Sequence, residues 1–333
     1  TLPGAWFFRL SLAFFWLTAF VSATHDIAAD GFYMLALTPH QQAFYVGIRS
    51  TFYRIATIAA QGGLVAVAWA IGESGVSVAM SWAIVMGIIS ACFFIFALYH
   101  SRVLPRPAID RPAEGITVRN AGKEFLRTFA TFFRKPQALA GILFMLLYRV
   151  PEAQLVKLIN PFLVDGRDAG GLGLSTGEVG LVYGTVGVIG LTVGGIVGGI
   201  VTARGGLKKW LWPMAWSISL TCATFCYLAW AQPTSLLTIC ACVGIEQLGY
   251  GFGFSAYMLY LIYYSEGELR TAHYAICTGF MALGMMLPGM VAGWIQEQLG
   301  YLGFFWWVMI CCVVTIAVTA LVKVPAGFGK KHV

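Results

Sequence analysis

The sequence predicts an all-α polytopic membrane protein. Three observations carry that prediction. Of 333 residues, 59% are hydrophobic and only 11% charged, with a mean hydropathy of +0.78. An ordinary soluble domain carries about 25% charged residues, enough to coat its surface, so a soluble globule of this size is excluded. Second, apolar runs recur at the length of about 20 residues that a spanning helix needs. Third, the basic residues gather in alternate connections between those runs.

Nine segments read as spans. Residues 6–23 form an apolar run with a single charge, Arg9. Residues 51–72 are more polar, carrying Arg54 and Gln61, and 76–100 are apolar up to His100. Residues 139–164 hold Arg149, Glu152 and Lys157 together with Pro151 and Pro161. Residues 179–201 and 210–230 carry no charge, and 235–263 carry only Glu246. Residues 274–294 and 303–321 are again uncharged. One connection, 101–136, is long and polar, with Pro105, Pro107 and Pro112 near its start. It divides the chain into 1–100 with three spans, the linker 101–136, and 137–333 with six spans and a short tail.

Placing the linker in the cytoplasm puts fifteen basic residues on that side, from Arg102 through Lys135, at Arg204, Lys208 and Lys209, at Arg270, and at Lys323, Lys330 and Lys331. Arg9 and Arg167 fall on the other side. The bias makes the C-terminus cytoplasmic, and the net charge of +7 marks topology, with no nucleic-acid partner implied. An odd number of spans then puts Thr1 outside. That residue is not a methionine, and no signal-peptide pattern follows it. The expectation is a chain that begins partway through a longer protein, with three spans missing.

Eight cysteines lie inside apolar stretches without Cys-x-x-Cys spacing and read as small buried hydrophobes. No metal-binding or phosphate-loop motif is present. Gly249-x-Gly251-x-Gly253 lies inside a span without a preceding strand, so a dinucleotide site is rejected. Glycines spaced by four, at 180 and 184, at 190, 194 and 198, and at 289 and 293, read as faces where helices approach closely. Residues 119–135 interleave phenylalanines with basic residues and suit an amphipathic helix on the inner leaflet.

Ionisable groups inside spans each need a partner or a watered cavity, since one costs about 2.5–3.5 kcal/mol at mid-span. Four clusters qualify. His25, Asp26 and Asp30 follow the first apolar run, and the two carboxylates share a helix face. Their mutual repulsion suits a proton carrier, although both acids equally suit a wetted helix end. Arg49, Arg54 and Gln61 form the second cluster. Arg54 cannot lose its proton, so it either pairs with Asp26 or Asp30 or holds an anionic substrate. The third joins Tyr148, Arg149, Glu152, Gln154 and Lys157 around Pro151 and Pro161. Arg149 and Glu152, at i and i+3, either neutralise each other at a kink or form part of a site on a broken helix. The fourth is Glu246 and Gln247 before the glycines and Tyr250.

Several stretches resemble a known family. Residues 199–209 (GIVTARGGLKK) are similar to the inner-loop signature of the major facilitator superfamily, with Ala203 where that signature has an aspartate. Residues 22–31 (SATHDIAADG), Tyr53-Arg54, 177–180 (GEVG), Glu246 with its following glycines, and 291–294 (VAGW) resemble the AmpG-type muropeptide permeases and the related acetyl-coenzyme A transporters. His25 stands where that family often has glutamine, which adds a titratable group.

The resemblance implies the twelve-helix fold of that superfamily with nine helices present, the first span here being the fourth. It implies a non-enzymatic, proton-driven importer of muropeptides into the cytoplasm across a bacterial inner membrane, without cofactor or metal. The partners it implies are a sugar–peptide cargo and membrane lipid. Asp26, Asp30, His25, Glu152 and Glu246 are then proton-coupling candidates. Arg54, Arg149, Lys157, Gln154, Gln247, Tyr148, Tyr250 and Tyr257 are substrate-binding candidates, the tyrosines by stacking on sugar faces. Another cargo, such as a coenzyme A thioester or a sugar, is the alternative reading. A membrane-embedded enzyme would need a nucleophile or metal set that the sequence does not offer.

Overall fold

The computed structural model describes residues 4–107 and 120–330, and no β-strand occurs among them. α1 (Gly4–Ala36) runs unbroken through the His25–Asp30 cluster, which therefore lies within the helix and not beyond it. Gln42 closes its end by donating to the Met34 and Leu37 carbonyls at 3.1 and 2.8 Å. Thr38 and Gln41 then form a reciprocal cap that starts α2 (Pro39–Ile58). α2 passes through a wide π turn, Ala59–Gly63, into α3 (Leu64–Glu73). α4 (Val78–Val103) follows a Ser77 cap.

The linker residues Arg111, Pro112 and Arg119 lie outside the described residues, as does Lys331 in the tail. Beyond the linker, α5 (Ala121–Phe133) is the expected amphipathic helix. α6 (Ala138–Leu147) and α7 (Val150–Val164) form one interrupted span. α8 (Thr176–Val179), a π turn Gly180–Gly187 and α9 (Val188–Gly205) form the next. α10 (Leu207–Leu220) and α11 (Ala223–Ala231) form a third, and α12 (Leu236–Ser265) is continuous. α13 (Arg270–Leu321) is two helices joined at Gly300, whose φ of 65° breaks the helical path.

Seven of these helical runs are long and apolar enough to cross a membrane, where the sequence suggested nine. The difference has two physical origins. The last two expected spans are joined through Gly300. The second falls on α2, the π turn and α3, of which only α3 is an apolar helix, and it has just ten residues. The chain is a multi-pass membrane protein, and α1 and α4 turn most large apolar side chains outward, among them Phe15, Trp16 and Phe94, as a hydrocarbon surround requires.

Glycine determines how the helices meet. A Cβ built on Gly47 of α2 would collide with the Gly195 carbonyl oxygen of α9. One on Gly199 would stand 2.7 Å from that of Phe44. An adjoining face of α9 meets α12, where Gly194 and Gly251 press on the Leu248 and Leu191 carbonyls. α9 is thus held between a helix of the first half of the chain and one of the second by backbone contact. Part of the expected glycine pattern does not pack: Gly180, Gly184 and Gly293 face open space. The π turn explains the first two, because its extra residue per turn carries that face away from the α9 seams.

Substituting Gly47 by alanine should force α2 and α9 apart and destabilise the protein by about 1–3 kcal/mol. Gly293→Ala, with nothing in its way, should leave stability unchanged or slightly raised. Thermal unfolding in detergent checks both, and equal midpoints would refute the seam.

Candidate functional site

The α6–α7 break builds the site. Pro151 at the start of α7 has no N–H to give to the preceding turn. The chain therefore bends at Tyr148 and Arg149, and Arg149 becomes the residue before the first turn of α7. The Thr315 hydroxyl of α13 donates to the freed Tyr148 carbonyl at 2.9 Å. The bend aims Arg149 at α12. Its Nε and Nη2 lie 3.1 and 2.9 Å from Glu152 Oε2, and Nη2 also donates to the Tyr250 hydroxyl at 2.8 Å. The guanidinium carbon sits 4.7 Å from the Phe254 ring centroid and 5.7 Å from that of Tyr257, within the range of cation–π attraction.

α12 offers this surface because its residues divide by face. Glu246, Tyr250, Phe254 and Tyr257 recur at helical spacing toward α6 and α7. The interleaved Gly249 and Gly253 lie against Thr221, just past the end of α10, and Ile218 of α10, and Gly251 lies against Leu191 of α9. The glycine series is therefore a packing device for two neighbours. Gln247 Nε2 donates to Glu246 Oε2 at 2.8 Å, and Gly187 in the π turn presses on the Gln247 side chain. Glu152, Tyr183, Glu246, Gln247 and Tyr250 line one narrow void between α7, the π turn and α12, too tight to admit water. All but Tyr183 were site candidates from the sequence. Tyr183 had no signal there beyond its position after 177–180 (GEVG).

The remaining candidates lie elsewhere. The Tyr148 and Tyr257 rings stack at 5.5 Å, both fully buried. Their hydroxyls donate to the Gly253 and Met145 carbonyls at 3.1 and 2.6 Å, so they serve here as core. Gln154 faces α13, accepting from Trp307 Nε1 at 2.8 Å. Lys157 is exposed, with its stem along Gly289 of α13, and does not join the Arg149 cluster. Asp30 is buried and ion-paired with Arg49 of α2, whose guanidinium stacks on Tyr33 at 5.2 Å. That pairing belongs to Arg49, which the sequence reading left at the edge of a span. Arg54 lies on α2 with its side chain outside the described residues, and so does the Gln61 side chain. His25 and Asp26 are exposed on α1, Asp26 one turn before Asp30. No group of three or more metal-ligating side chains occurs among the described residues.

No family model matches the chain. It is 23% identical over 296 residues to a putative transporter AmpG 4 of Rickettsia conorii, covering 88% of this chain and 68% of that protein. It is 27% identical over 290 residues to the anhydromuropeptide permease of Escherichia coli, covering 86% of this chain and 55% of the permease. An uncharacterized protein of Haemophilus influenzae is 23% identical over 303 residues, with 66% of its length covered. The chain thus spans between about half and two thirds of the length of these relatives. Where these relatives carry a function in their names, the likeness is to transport proteins and not to enzymes.

Proposed function

We propose that the chain is the core of a proton-coupled secondary transporter of the major facilitator type. It imports muropeptides, sugar–peptide fragments of peptidoglycan, across a bacterial inner membrane by alternating access. The basic end of the bundle, with the C-terminus, faces the cytoplasm. The carrying observation is the convergence of Glu152, Glu246, Gln247 and Tyr250 on one buried void beside a helix break, with Arg149 bound to two of them, Glu152 and Tyr250. Broken helices at mid-membrane are where transporters place binding groups. The names of the relatives support the cargo class, and the proton gradient is the energy source, with no cofactor.

In this reading Glu152 and Glu246 exchange protons with the two sides. While Glu152 is ionised it holds Arg149. When Glu152 takes a proton the pair loses its attraction, and Arg149 is free for a cargo carboxylate. Asp30, held by Arg49, and the exposed Asp26 and His25 supply a second titratable cluster on α1. Tyr148, Tyr250 and Tyr257 come to sugar faces only if the α6–α12 packing loosens. Gln154 and Lys157 reach cargo only from outside the void, and Arg54 is a further cargo-binding candidate.

Reconstituted full-length protein should accumulate labelled anhydromuropeptide when a proton gradient is imposed. Glu152→Gln and Asp26→Asn should each lose accumulation while retaining exchange of cargo at equilibrium. Near-normal accumulation in either variant returns that residue to a structural role. Absence of gradient-driven uptake by the unaltered protein, against uptake of a coenzyme A thioester or a sugar, overturns the cargo.

The ion pair makes a second prediction about stability. Removing one partner strands the other charge in the core, at a cost of about 3–5 kcal/mol. Arg149→Gln and Glu152→Gln should each lower the thermal midpoint, and the double variant should lose clearly less than the two losses combined. Simple additivity would show that the pair is not coupled.

A further inference from the structure

The segment after the last helix, residues 322–330, is built into the bundle. Val322, Val324 and Phe328 are buried. The Leu207 N–H at the start of α10 donates to the Phe328 carbonyl at 3.0 Å, and the Phe328 ring meets Tyr263 of α12 edge-on at 5.2 Å. The Lys323 N–H donates to Gln137 Oε1 ahead of α6 at 3.1 Å. The turn between α9 and α10 is shaped to receive the segment. Gly206 holds a φ of 80°, and a Cβ there would stand 3.0 Å from the Ala326 carbonyl oxygen. These contacts all belong to the second half of the chain.

The segment then crosses to the first half. A Cβ on Gly329 would lie 3.4 Å from the Ala43 Cβ of α2 and 3.5 Å from Thr202 of α9. Beside this crossing is an open cavity of about 550 Å³ lined by Thr38, His40, Tyr263, Glu266 and 327–330. The grip on the second half is therefore extensive and hydrogen-bonded, while the contact with α2 is a small apolar touch next to free space.

We infer that residues 322–330 form a strap, carried by the second half, that holds the start of α2 against the α9–α10 turn and detaches from α2 before this end of the bundle opens. The inference rests on the alternating-access reading given above, but its test needs no cargo. Ser265, buried at the end of α12, lies 3.6 Å from the Met34 sulfur of α1 and seals the same end between the halves. A cysteine placed there by Ser265→Cys reports opening through its rate of labelling by a water-soluble maleimide. The labelling is measured in detergent-purified full-length protein, each variant against the same variant without that change.

Adding Phe328→Ala should accelerate labelling roughly tenfold, equivalent to about 1.4 kcal/mol on the opening equilibrium. The pair Ala43→Cys and Gly329→Cys has a spacing close to the disulfide range of about 3.5–4.5 Å between Cβ atoms. Its oxidised form should slow labelling roughly tenfold relative to the reduced form of the same protein, which also controls for strain at position 329. If neither loosening nor locking moves the rate beyond about twofold, equivalent to some 0.4 kcal/mol, the strap does not govern opening. If the rate follows the strap while muropeptide uptake is absent, the strap stands and the cargo reading fails.

Discussion

A guanidinium that cannot lose its proton, placed at a helix break inside an apolar bundle, constrains everything around it. Arg149 stays charged at any attainable pH, and an isolated charge at that depth is expensive. Neutralisation has to come from within reach of one side chain, which puts Glu152 at i+3 on the same helix. The remaining donor valence and the flat faces of the guanidinium are met from α12, by the Tyr250 hydroxyl and by the Phe254 and Tyr257 rings. These aromatics must lie at helical spacing along one side of α12, so the other sides of α12 are left for packing. One buried cation thus sets the composition of two helices.

The glycines follow from the same geometry. In lipid the hydrophobic effect does not drive helices together, and close backbone approach takes its place. α12 can turn a polar and aromatic face to α7 because Gly249, Gly251 and Gly253 let α9 and α10 lie directly on its backbone. α9 repeats the arrangement toward α2 through Gly195 and Gly199. Such surfaces hold the helices together by dispersion at close range.

Much of this was legible in the sequence, because it is local. Helical spacing gave the Arg149–Glu152 pair, Pro151 gave the break, a lone acid in an apolar run gave Glu246, and Asp30 stood out as one of two acids sharing a helix face after the first apolar run. What could not be read were pairings between distant helices. Asp30 and Arg49 meet only because α1 and α2 fold back on each other at Thr38, so Arg49 looked like an edge residue. Gly180 and Gly184 had the right spacing, but a π turn, which leaves no clear mark in composition, rotated them away from the seam. Lys157 stands apart from the Arg149 cluster for a simpler reason. Five residues past Glu152 it lies well around the helix from the carboxylate, so periodicity alone placed it on another face. Tyr148 and Tyr257 looked available as aromatic platforms, and their burial became apparent only from the packing of α6 on α12.

The two ends of the bundle are fastened differently. At the end away from the basic loops, Arg167 donates to the Gln232 and Pro233 carbonyls and Tyr301 to Asp165. These links all lie within the second half of the chain. At the basic end the links cross between halves: Gly31 on Thr271, Met34 on Ser265, Phe44 on Gly199, and the terminal segment on Ala43. α3, which leads away from that end, packs chiefly on α4 and not on the second half. The halves therefore converge where the cross-links gather and are held less firmly beyond them. The void between Glu152 and Glu246, closed even to water, lies between these two regimes. Opening it toward the basic end requires breaking contacts between halves, whereas the ties at the other end can persist through the same motion because they never leave one half.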